Sequence, residues 1–248
     1  MSSPRLDTTA PSSIFVPRMT KDEHPTPPPW GAIFDWDGVI IDSSRQHEQS
    51  WERLAREISK PLPEGHFKAG FGRKNEFIIP NLLNWEHDPA EVLRLSLRKE
   101  ALYRDIIREQ GLEPLPGVRA WLERLDAAGI PRAIGSSTHR ENIEVSLDVL
   151  HLRPFFHQIV TAEDVTHGKP DPEVFLAAAA KIAMPPARCV VFEDAHVGIE
   201  AAHRAGMRVI AVASTNPIAD LGKADKAVTR LDELEVPEIS KWFPPCAI

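Results

Sequence analysis

Residues 31–43 read GAIFDWDGVIIDS: a short apolar run ends in two aspartates one residue apart, Asp35 and Asp37, and Gly38 follows at once. Side chains on a β-strand alternate faces, so both carboxylates are expected on one side, where the strand gives way to a glycine turn. In an open α/β sheet, ligands bind beyond the carboxyl ends of the strands, and this pair would stand there. Two carboxylates held so close repel each other unless a cation or a shared proton intervenes. Their environments are then expected to push their pKa values apart, so that one stays ionised while the other carries a proton. The same D-x-D-G pattern also occurs as an ordinary turn, because Asp and Gly both favour turns. Segments elsewhere in the chain decide between these readings.

Outward from that stretch, apolar strand candidates alternate with helical patterns. Strands are expected over residues 32–34, 132–135, 158–160, 189–192, 208–212 and, more weakly, 227–229. Between them Val118, Trp121, Leu122 and Leu125 recur at helical spacing, as do apolar residues around Ile143, Leu147 and Leu150. Asp171 before Pro172 predicts a helix start with proline at the first helical position, followed by a buried stripe of Val174, Phe175, Ala178 and Ile182. This alternation is the signature of an α/β fold, a parallel sheet with helices on both faces.

The interval between Ser43 and Gly111 breaks the alternation. It shows no strand, only helical stripes such as Trp51, Leu54, Ala55 and Ile58, and then Leu95, Leu102 and Ile106. A Gly/Pro-rich joint over residues 111–117 closes it. Residues 44–111 are therefore expected to form a small helical cap inserted directly after the aspartate loop, with residues 31–43 and 112–248 as the catalytic core. A lid placed there would exclude water from the chemistry. Residues 1–30, rich in Ser, Thr and Pro, read as an extended or disordered leader in which Ile14-Phe15-Val16 could dock on the body.

Composition narrows the function classes. The balance of 29 basic against 36 acidic residues gives a net charge of −7, and no basic stripe is visible, which disfavours a nucleic-acid surface. There is no run of 18 apolar residues and no apolar signal-peptide core, so no membrane partner is expected and the cytoplasm is the default compartment. Two cysteines, Cys189 and Cys246, do not suggest a disulfide framework. A monomer is favoured.

Three later segments end expected strands in polar residues, and in a parallel sheet they converge on the edge that carries Asp35. Gly135-Ser136-Ser137-Thr138 offers small hydroxyls and backbone N–H groups to an anion near a helix start, although such serines are also ordinary helix caps. His167-Gly168-Lys169-Pro170 places one lysine in a stiff loop, where Gly and Pro favour a defined role over that of a solvated charge. Val190-Val191-Phe192-Glu193-Asp194 ends a strand in two hard oxygen ligands suited to Mg²⁺.

In this order and spacing, FDWDGVIIDS, GSST, HGKPDPEVF and VVFEDAHVGIEAAHRAGM resemble the four signature motifs of the haloacid dehalogenase superfamily, in its phosphatase and β-phosphoglucomutase-like branch. The resemblance runs from about Gly31 to Thr229. It implies a Rossmann-like core with a mobile helical cap, and it implies roles: Asp35 as nucleophile, Asp37 as general acid and base, Ser136 as phosphate ligand, Lys169 as countercharge. It further implies Mg²⁺ held by Asp35, Glu193, Asp194 and the backbone carbonyl at Asp37, and a small phosphate ester as substrate. Ser137, His47, Arg73 and Lys99 are the expected substrate contacts.

A small-molecule phosphatase is the first expectation. A β-phosphoglucomutase-like isomerase is the second, because Gly70-Phe71-Gly72-Arg73 is similar to the mutases' G-x-x-R, and Lys99 with Tyr103 is similar to their K-N-x-x-Y, with Glu100 in place of Asn. Asp37 and the Mg²⁺ acids disfavour a dehalogenase. Phosphonoacetaldehyde hydrolase shares an F-D-W start but has Ala where Asp37 stands. A catalytically silent binding module gives no reason for four motifs to keep their reactive residues. Trp36 is expected in the core, and His196 at a helix start without a catalytic role.

Overall fold

The computed structural model describes residues 28–70 and 73–244. The expected leader up to residue 27, with its Ile14-Phe15-Val16 segment, lies outside the described residues, as do Phe71, Gly72 and Cys246. Strand β1 (Gly31–Phe34) is followed by α1 (Ser44–Glu57), α2 (His66–Gly70), α3 (Asn75–Phe77) with a π-helical continuation over Ile78–Leu82, and the long α4 (Pro89–Gln110). Then come α5 (Val118–Ala127), β2 (Arg132–Gly135), α6 (Arg140–Leu150), β3 (Gln158–Val160), α7 (Glu173–Lys181), β4 (Cys189–Glu193), α8 (His196–Arg204), β5 (Arg208–Val212), β6 (Lys226–Val228) and α9 (Val236–Ser240).

The six strands form one parallel sheet in the order β3-β2-β1-β4-β5-β6. The chain builds outward from β1 through β2 to β3, then returns to lay β4 on the other side of β1. That reversal opens a crevice at the carboxyl ends of β1 and β4, the standard ligand position in a sheet of this kind.

Helices on both faces bury both faces, so the strands are apolar at nearly every position. Ala32, Phe34, Val190, Phe192, Ile210 and Val212 face one core with Trp121, Leu122, Ile143 and Leu147 of α5 and α6. The alternate residues Ile33, Cys189, Val191, Val209 and Ala211 face the other, with Phe175, Ala178, Ile199 and Ala202 of α7 and α8. Phe34 and Phe192 stack across β1 and β4 at 4.4 Å. Cys189 is a free, buried thiol whose pKa burial pushes up to about 12. Among the described residues no helix is long and apolar enough to cross a membrane.

Between β1 and α5 the described residues contain no strand. They have an apolar cluster of their own, Trp51, Leu54, Ile79, Trp85, Leu95 and Leu102 among its members. Helix α4 serves both bodies: its Leu95 and Leu102 lie in this cluster, while Tyr103 and Ile107 join the sheet core. Asp88 starts α4 by accepting from the N–H groups of Ala90 and Glu91, both at 3.1 Å, and Gly111 ends it at φ 75°. Helix α7 begins one residue later than expected, with Pro172 as its cap and Asp171 accepting from the Glu173 N–H at 3.0 Å.

Candidate active site

Strand β1 ends at Phe34, so the alternation that would place both aspartates on one side no longer governs Asp37. The chain turns instead. The N–H groups of Ile40 and Ile41 both reach the carbonyl of Trp36, and Gly38 donates to Ile41 O at 2.8 Å. Gly38 sits at φ +78°, and a Cβ there would lie 2.0 Å from Asp194 Oδ2, so only glycine allows this approach. Trp36 is fully buried in the sheet core, as expected of it.

The turn hands the two carboxylates to different partners. Asp35 Oδ2 lies 2.9 Å from the Lys169 ammonium, which also donates to Glu193 Oε1 at 2.7 Å. Glu193 is wholly buried at the end of β4, and its Oε2 accepts from the N–H groups of Asp194 and Ala195. Burial alone would lower the Lys169 pKa, yet the Asp35 and Glu193 carboxylates outweigh it and raise it. Burial and neighbouring negative charge raise the pKa values of Glu193 and Asp194.

Asp37 meets hydroxyls instead of a cation. Ser43 donates to one of its oxygens and Thr138 to the other. Burial pushes its pKa up, and those two bonds offset the effect only in part. Ser136, at the end of β2, is buried, with its Oγ accepting from the Thr138 N–H at 3.2 Å, while Ser137 is exposed.

Ligand oxygens of Asp35, Glu193 and Asp194 can all lie within 4.8 Å of one another. Three carboxylates then face one lysine, and Asp35 Oδ1 is buried without a hydrogen-bond partner. That excess of negative charge and that orphaned oxygen fit a hard divalent cation. A second acidic group, His167 with Asp171 and Glu173, lies at the start of α7, and its Glu173 oxygens accept from the backbone of Thr166 and His167.

The structure thus brings Asp35, Asp37, Ser136, Lys169, Glu193 and Asp194 to one sheet edge. His47 and Lys99 stand as a pair of their own, with Lys99 Nζ 2.6 Å from His47 Nδ1, and adjoin Asp37 through Tyr103 and Ser43. Arg73 joins neither group: it is exposed, with its guanidinium 4.6 Å from the Phe77 ring centre. His196 is exposed at the first turn of α8.

Four further residues shape the site: Ser43, Thr215 and Asn216 carry no role from the sequence, and Thr138 is among the hydroxyls expected to meet an anion. Ser43 and Thr138 hold Asp37, Thr215 hydrogen-bonds Asp194, and Asn216 Nδ2 donates to the Asp194 carbonyl at 2.9 Å. The signal for the last two was available: Ser214-Thr215-Asn216 follows β5, another polar segment closing an apolar strand on the same edge.

A profile of the haloacid dehalogenase-like hydrolases matches residues 32–212. The chain belongs to that family. The chloroplastic 5-amino-6-(5-phospho-D-ribitylamino)uracil phosphatase of Arabidopsis thaliana is 41% identical over 214 residues, which cover 85% of this chain and 57% of that protein. The chain therefore spans little more than half the length of that relative. The β-phosphoglucomutase of Bacillus subtilis is 33% identical over 208 residues, covering 82% of this chain and 90% of the mutase. A solved hydrolase of the same superfamily from Entamoeba histolytica, 28% identical, superposes with a TM-score of 0.77 over 86% of this chain and 99% of its own. These relatives put the chain on the phosphatase and phosphoglucomutase-like branch of the family.

Proposed function

We propose that this protein is a phosphoric monoester hydrolase that acts on a small phosphorylated metabolite, such as a sugar phosphate, through a covalent phosphoaspartate at Asp35. The observation that carries the reading is the opposite treatment of two aspartates at the end of one strand. Asp35 is held against the Lys169 ammonium, while the half-buried Asp37 sits between two hydroxyls with a raised pKa.

Phosphoryl transfer needs positioning and neutralisation of charge more than it needs covalent help from the protein. Lys169, Ser136 and Ser137 bind the phosphoryl oxygens, and an ionised oxygen of Asp35 attacks phosphorus, forming the Asp35 O–P bond as the ester P–O bond breaks. Asp37, protonated at that moment, gives its proton to the departing oxygen. Now ionised, Asp37 takes a proton from the water that attacks the phosphoaspartate, which releases inorganic phosphate and regenerates Asp35. Asp35, Glu193, Asp194 and the Asp37 carbonyl would hold Mg²⁺. When bound, the ion supplies positive charge against the phosphoryl oxygens. Residues 44–111 act as the cap, whose closure excludes water, with Arg73 as a specificity contact on it.

The test is release of phosphate from an aryl phosphate and from a panel of phosphorylated metabolites, with and without Mg²⁺. Mg²⁺-dependent release that disappears in a folded Asp35→Asn protein is the expected result. Turnover retained in that variant overturns the covalent route.

A further inference from the structure

Lys99 and Glu100 are neighbours in α4, and both are buried, with 3% and 7% of their side chains exposed. The Lys99 ammonium donates to Glu100 Oε1 at 3.0 Å and to Nδ1 of His47 at 2.6 Å. Glu100 Oε1 also accepts from Asn75 Nδ2 at 2.7 Å, and Oε2 accepts from Asn142 Nδ2 of α6 at 2.6 Å. Arg104 completes the arrangement by donating to the oxygen of the same Asn142 amide at 3.0 Å. Both oxygens of Glu100 are thus engaged, and among the described residues Lys99 spends two of its three donors.

This cluster adjoins the general acid. The His47 ring stacks on Tyr103 with centroids 3.9 Å apart, Tyr103 hydrogen-bonds Ser43, and Ser43 donates to Asp37. Lys99 and Glu100 are near enough to Asp37 to act on it electrostatically, so on the phosphatase reading a leaving group that takes its proton from Asp37 would meet the face on which His47 and Lys99 lie.

A second phosphoryl group on that side would need a cation free to meet it, since a buried anion without a countercharge is strongly disfavoured. Lys99 is not free: its charge is matched by a carboxylate 3.0 Å away that would repel an incoming phosphate. We infer that Glu100 is a specificity-determining residue. By holding Lys99 in a buried ion pair, it makes the wall facing the leaving group electroneutral and selects monophosphates whose leaving group is uncharged and hydroxyl-bearing. The spare N–H of Lys99 and the His47 ring then serve the substrate hydroxyls. This inference rests on the phosphatase reading and specifies its substrate class.

Calorimetric titration with fructose 1-phosphate and fructose 1,6-bisphosphate in the presence of Mg²⁺ tests it, with the full-length Asp35→Asn protein as background so that ligand is not consumed. Adding Glu100→Gln is expected to raise affinity for the bisphosphate at least tenfold relative to the monophosphate. Because the introduced side-chain amide would set its own nitrogen against that of Asn142, a second background adds Asn142→Asp as well. The two hydrogen bonds are then kept while the negative charge moves from Lys99 toward Arg104, and the same tenfold gain is expected. No relative gain in bisphosphate binding in either background overturns the inference, as does a tenfold preference for the bisphosphate when Glu100 is intact. Failure of the phosphatase reading shows separately, as absence of phosphate release by the unsubstituted protein.

Discussion

Gly198 lies directly against the carboxylate of Glu193: a Cβ at residue 198 would stand 1.6 Å from Oε1, the oxygen that binds Lys169. An added methyl group must push Glu193 aside, which breaks its bonds to Lys169 and to the N–H groups of Asp194 and Ala195. Gly198→Ala is expected to destabilise the fold by about 1–3 kcal/mol, as overpacking does, and to depress turnover with it. Gly168→Ala is the control, since nothing stands within 4 Å of a Cβ there. Thermal melts of the two variants check the contrast.

Asp37→Asn removes the proton donor while leaving Asp35 paired with Lys169. Turnover of alkyl phosphates, whose leaving oxygen needs a proton, is expected to fall by roughly 10²–10⁴, with a much smaller loss for an aryl phosphate whose leaving group departs as the anion. Steady-state kinetics on both ester types decide it, and equal losses would remove Asp37 from the role of acid.

Asp194→Ala deletes one of the oxygens grouped with Asp35 and Glu193. The Mg²⁺ concentration needed for half-maximal activity is expected to rise, because the site loses a hard ligand. An unchanged Mg²⁺ titration would show that Asp194 is not a ligand.

His47 governs a pH dependence of stability. Burial, and then the charge of Lys99, lower its pKa to about 3, whereas in the unfolded chain it titrates near its ordinary value of 6.5. As pH falls below about 6.5 the unfolded chain takes up a proton that the folded one refuses. His47 thus contributes stability that is present above this value and lost as pH falls toward 3. The loss approaches ~1.4 kcal/mol per pH unit. Urea unfolding at pH 7, 6 and 5 should show this loss, reduced in His47→Gln; identical slopes in the two proteins would contradict it.

Local pattern was enough to read much of this protein. Apolar runs buried on both faces marked β2, β3 and β5 at their observed bounds, and β1, β4 and β6 to within a residue, because an all-parallel sheet leaves no polar face to blur the signal. The convergence of Asp35 and Asp194 on one edge was legible for a related reason: in such a sheet, the polar residue after each strand arrives there, whereas Lys169 reaches it from the loop before α7.

Only the tertiary structure decided what each of these residues touches. Thr138 reaches Asp37 from 101 positions away, and it does so because β2 lies beside β1. Thr215 and Asn216 meet Asp194 because β5 lies beside β4. Glu100 and Asn142 are 42 positions apart and meet because α4 packs on α6. Lys99 is expected from the sequence as a substrate contact, and its buried pairing with the Glu100 carboxylate is a matter of rotamer and burial that helical spacing does not encode. Periodicity specifies the face a residue lies on; strand order and helix packing, fixed by the whole core at once, specify its partner.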